Sequence, residues 1–60
     1  DITMTETLTF TKPGMTATIV TDGQNVRSYE PTACKSHETL KKAIAYIESR
    51  GYLIVMDQFA

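Results

Sequence analysis

A thiol and an imidazole stand three residues apart in Cys34-Lys35-Ser36-His37, at the expected start of a helix. A helix N-terminus depresses a thiol pKa, so this spacing admits a reactive cysteine. Nucleophilic catalysis also needs a group that orients the base, and nothing else in the sequence fills that role. Cys34 is the only cysteine and His37 the only histidine. One chain can therefore make neither a disulfide nor a closed zinc site from Cys and His alone; the remaining metal arrangement is a half-site completed across a dimer. The expectation is no enzymatic activity, no cofactor and no metal, with Cys34 as a small packing residue and His37 solvated.

Arg27, Lys41, Lys42 and Arg50 are the cations that phosphate would meet, and they define a nucleic-acid-binding alternative. Glu38 and Glu48 lie within a turn or two of the lysines, and a Glu38–Lys42 pair at i,i+4 is the ordinary chemistry of a solvated helix face. The stretch LKKAIAYIESRGYLIV has the flavour of a recognition helix running into a wing, but three strands stand upstream where a winged helix needs helices. Across the chain, six Lys or Arg face seven Asp or Glu. That balance gives no general pull toward nucleic acid or an anionic membrane.

The elements that position these residues follow from periodicity. Ile2 to Thr11 alternates strictly, with threonine at every odd position from Thr3, which is the period of a strand. Lys12-Pro13-Gly14 breaks it. Met15, Ala17 and Ile19 then alternate with Thr16, Thr18 and Val20. Asp22-Gly23 is a hairpin signal, and Asn25 to Glu30 forms a third strand in which Val26 and Ser28 oppose Arg27 and Tyr29. Pro31 ends it. Ser36 reads as an N-cap, with Glu38 in the first turn. Leu40, Ala43, Ile44 and Ile47 make one buried stripe, so a helix is expected over 36–50, with Arg50 in its last turn and Gly51 as the stop. Tyr52 to Met56 is a final apolar strand.

These elements form one small α+β domain over 1–60: a three- to four-stranded, mainly antiparallel sheet (β-β-β-α-β) with one helix on one face. After a three-strand meander the last strand lies parallel to the first, by a right-handed crossover. Sixty residues bury only about 60% of their unfolded surface, so stability is marginal and association is the reinforcement left open. No apolar stretch approaches the ~20 residues of a membrane span, and no signal-peptide pattern is present. With the lone thiol, this places the chain in the cytoplasm. The start at Asp1 rather than Met is expected from trimming or from a boundary chosen within a longer sequence.

Two features mark a surface for a partner. The last strand is apolar on both sides, with Leu53 and Val55 on one and Tyr52, Ile54 and Met56 on the other, while one helix covers only one face. The expected binding patch is therefore Tyr52, Ile54 and Met56, extended by Tyr29 and Val20 where register allows. Glu6 interrupts the apolar side of the first strand. It marks either a bulge or a projecting edge on which another chain pairs. The threonine rows admit an ice-binding array, but such an array needs several aligned strands, and solvent-facing strand chemistry is the ordinary reading. Scale and build resemble those of small phage and plasmid proteins that bind and redirect a larger host protein. The resemblance is one of architecture, without residue correspondence. It implies a non-catalytic module that modulates or inhibits a larger protein, or that self-associates.

Overall fold

The computed structural model describes residues 5–55. Its elements are β1 (Glu6–Lys12), β2 (Met15–Thr21), β3 (Val26–Glu30), β4 (Ala33–His37), α1 (Leu40–Ser49) and β5 (Leu53–Ile54). The strands form one sheet in the order β4-β3-β2-β1-β5, antiparallel at every junction, with α1 packed on one side. The α+β class with a single helix on an antiparallel sheet is as the sequence implies.

Alternation assigns the two sides. Phe10 pairs with Ala17 and Leu8 with Ile19, while Ile19 pairs with Ser28 and Thr21 with Val26. Phe10, Ala17, Ile19, Val26, Ala43, Ile47 and Tyr52 are the buried core, and Leu8, Leu40, Ile44, Tyr46 and Ile54 pack around it. The residues between them in sequence point to the other side, which no described element covers. Pairing between β1 and β2 runs unbroken from Glu6↔Thr21 to Lys12↔Met15, so no bulge reorients Glu6. Glu6 is exposed at the start of the strand. β5 pairs with β1 at Phe10 and Thr11, so β1 is interior there, while Glu6 to Leu8 have no neighbouring strand on that side among the described residues and remain an edge.

Three expectations change. The segment around Cys34 is a strand, β4, joined to β3 by the Pro31-Thr32 turn. It escaped the periodicity test because an edge strand need not bury alternate residues: Ala33, Cys34, Lys35 and Ser36 are all exposed. The added strand reverses the sense of the last one. After three strands the crossover would return parallel to β1; after four, it returns antiparallel, as observed.

The helix consequently starts later, at Leu40. Thr39, in extended conformation, is the N-cap, and its Oγ1 accepts from Lys42 N at 3.1 Å. Ser36 is inside β4, and Glu38 precedes the helix while still forming an ion pair with Lys42. The helix ends as Gly51 predicts. Gly51 adopts φ +96°, its N–H donates to Glu48 O at 2.9 Å, and Tyr52 N donates to Ile47 O at 3.4 Å. That pair of bonds is a Schellman motif, in which the left-handed residue is readily glycine because it has no Cβ. Arg50 is the C-cap rather than a last-turn residue.

Candidate functional site

The open side of the sheet can be read off the register in rows. Ser36, Arg27, Val20 and Thr7 lie across β4, β3, β2 and β1; Cys34, Tyr29, Thr18 and Thr9 form the next row. Thr16 and Thr11 follow, with Leu53 beside Thr11 on β5. Val55 N donates to Thr9 O at 2.8 Å, which carries the pairing with β1 one residue past β5. The surface is thus a field of hydroxyls and methyls with Val20, Tyr29 and Leu53 set in it. Arg27 is its one charged residue among those described. Tyr29 is 41% exposed and Leu53 73% exposed.

The expected patch divides along the same line. Tyr29 and Val20 are on the open side. Tyr52 is not: it is fully buried beneath the helix, and Ile54 packs half-buried against the same core. Met56 lies outside the described residues. The parity of the last strand is therefore opposite to the expectation, and Leu53 is the residue it leaves exposed. One signal fixes that parity. The residue after a Schellman glycine makes an apolar contact with the third residue from the helix end, here Tyr52 with Ile47 of the buried stripe.

The cations of the nucleic-acid alternative are dispersed. Arg27 stands on the open side, Lys41 and Lys42 are exposed on the helix, and Arg50 is bound at the helix C-terminus. Arg50 Nε donates to Glu30 Oε1 at 2.7 Å, and that carboxylate side chain is only 7% exposed. Lys12 Nζ donates to Arg50 O at 2.9 Å and stands 4.6 Å from the centre of the Tyr52 ring. Lys35 Nζ and Arg50 Cζ lie 4.5 and 5.7 Å from the centre of the Tyr46 ring. These contacts sit on the helix side and tie α1 down over the sheet. The Tyr52 hydroxyl is buried without a hydrogen-bond partner. Burial first, then the Glu30 charge beside it, pushes the phenol above its ordinary value.

Cys34 and His37 point to opposite sides of β4, so the thiol–imidazole pair does not assemble. Cys34 Sγ, exposed, accepts at 3.8 Å from Arg27 Nη2. His37 Nε2 is 2.8 Å from Ser28 Oγ, and Ser28 is 1% exposed. One of the two donates and the other accepts, the direction being set by the imidazole tautomer. Desolvation, then the Lys35 charge, holds the His37 pKa below its ordinary value.

Among the described residues, no group of three or more His, Cys, Asp or Glu is placed to hold a metal ion, and no helix is long and apolar enough to cross a membrane. Comparison with protein-family models, curated proteins and solved structures finds no match.

Proposed function

We propose that this chain is a non-catalytic protein-binding module that modulates or inhibits a larger protein, docking it through the open side of the sheet. The observation that carries this reading is the contrast in cover. On one side of the sheet α1 covers the core, while the other side presents Val20, Tyr29 and Leu53 among threonines with a single charge. A broad surface with so little charge suits a partner face of similar polarity. Interface cores are depleted in charge and enriched in tyrosine. Threonine hydroxyls on the rows would supply hydrogen bonds at the rim, and Leu53 would be an apolar anchor.

The test replaces Leu53 and, separately, Val20 by Glu, with Lys42→Glu on the helix as control. Partner capture from native lysate and sedimentation are both read on variants whose backbone amide spectra match the parent. A loss of at least tenfold in capture for both open-side variants, with Lys42→Glu unaffected, supports the reading. Equal capture by all three overturns it. If the sedimentation coefficient of the purified chain falls in the open-side variants, the partner is a second copy and not a larger protein.

A further inference from the structure

A second region has recognition chemistry of a different kind. At the end of β3 and β4 nearest the Asp22–Asn25 turn lies a cleft of about 280 Å³, lined by Gln24, Asn25, Val26, Arg27, Ser36 and His37. Five of the six carry hydrogen-bond donors, and none is acidic. They approach from several directions. Arg27 and Ser36 are cross-strand partners on the open side, His37 is on the helix side, and Gln24 and Asn25 come from the turn.

The donor groups are also available. Among the described residues, the one hydrogen bond of the Arg27 guanidinium is the long one to Cys34 Sγ, a weak acceptor, and neither the Ser36 hydroxyl nor the Gln24 side-chain amide makes any. His37 lines the cleft, and as an imidazolium it would donate from Nδ1, the nitrogen that Ser28 does not engage. Two carboxylates lie next to the lining residues in sequence: Glu38 is ion-paired with Lys42, and Asp22 is turned into its own loop, where Oδ1 accepts from Gln24 N at 2.9 Å and Asn25 N at 2.8 Å. Those bonds satisfy its charge locally and hold its pKa down.

We propose that this cleft binds a phosphate group, with the Arg27 guanidinium as its charge partner and Ser36, Gln24 and His37 as further donors. Donors spread around a small volume match a tetrahedral oxyanion, whose oxygens point in several directions, better than a planar carboxylate. Guanidinium is the side chain suited to forked contact with such oxygens. The site borders the rows on which the proposed protein docking rests, since Arg27 and Ser36 share a row with Val20, but its chemistry does not depend on that docking.

Binding has a spectroscopic signature in His37. The groups around its ring are Lys35 on its own strand, Ser28 on β3 and Tyr46 on α1, the two ring centroids 5.1 Å apart, and Glu38 is the next residue in sequence. An anion added to that set favours the imidazolium. Inorganic phosphate is therefore titrated into the protein at constant ionic strength, following the His37 ring, the Arg27 side chain and the Gln24 amide by NMR. Saturable shifts at those groups, a rise in the His37 pKa, and a weakening of about tenfold or more in both Arg27→Gln and Ser36→Ala support the site. Lys42→Gln should leave binding unchanged. Shifts matched by acetate or chloride, or centred on Lys41 and Lys42, overturn it. A single-stranded oligonucleotide in a second arm separates the sources. Competition with phosphate at these resonances assigns the phosphate to a nucleic acid, and its absence to a small molecule; either result requires the site.

Discussion

The two sides of this sheet are written in alternate residues of the same strands, yet they are held to different standards. On the helix side, Phe10, Ala17, Ile19, Ala43, Ile47 and Tyr52 are all at or below 1% exposure, and the cluster around them is filled by Leu8, Leu40, Ile44 and Ile54. On the open side, the same strands carry Thr7, Thr9, Thr11, Thr16 and Thr18, with no described element across from them. Threonine is a compromise between two demands. Its β-branch favours the strand, while its hydroxyl tolerates water. A side built this way contributes to sheet formation without depending on burial, and it can be altered without unfolding the domain. That is what a docking surface requires and a core cannot supply.

The sharpest way to break the comparison uses two adjacent residues. Tyr52→Ala removes a fully buried ring, and substitutions of this kind cost about 3–5 kcal/mol. Small domains have only about 5 kcal/mol or slightly more to lose, so the variant should be largely unfolded in urea titrations at 25 °C. Leu53→Ala, one residue on and 73% exposed, should stay within about 0.5 kcal/mol of the parent. Similar losses at both positions would mean that the last strand is buried on both sides, and the open surface would disappear with that result.

The helix covers its side only if it begins where it does, which gives a test of intermediate size. Thr39→Ala removes the cap on Lys42 N and should cost about 1 kcal/mol. Ser36→Ala, in the exposed edge strand, should cost a few tenths at most, on the order of ordinary surface substitutions. Denaturant midpoints with unchanged slopes would measure both. A larger loss at Ser36 would return the helix start to that residue and remove β4.

These tests fall where the sequence is hardest to read. The stripe Leu40, Ala43, Ile44 and Ile47 was legible because helix burial imposes a period of 3.6, and the structure buries or half-buries all four. The alternation in β1, β2 and β3 was legible for the matching reason, whereas whether Val20 and Tyr29 join the open side depends on register, which the strand pairing supplies. β4 was not, because Ala33-Cys34-Lys35-Ser36 has no buried position to give it a period. Only His37, through Ser28 and Tyr46, touches the covered side. The parity of β5 was misread from a run that is apolar at every position, where alternation carries no information. The deciding clue was Gly51, whose cap geometry fixes the next side chain against the helix. The polar cleft was invisible for a further reason: its walls come from a turn and two strands whose pairing depends on β4.

The smallest effect separates the two sides where they meet, at Arg27 and Ser28. Arg27 points to the open side, whereas Ser28 on the covered side engages His37 Nε2. Because burial and Lys35 lower the His37 pKa, the folded protein binds this proton less readily than the unfolded chain does. Stability is therefore complete above the unfolded value of about 6.5 and declines as pH falls through it toward the folded pKa. His37 is only partly buried, so the loss should be a fraction of a kcal/mol. Urea midpoints between pH 7.5 and 5 should fall slightly for the parent and stay level for His37→Gln, whose amide can still meet Ser28. Arg27→Gln should retain the parent slope. A slope that vanished with Arg27 instead would place the proton-sensitive contact on the open side, and His37 would then belong to the exposed surface rather than to the seam beneath the helix.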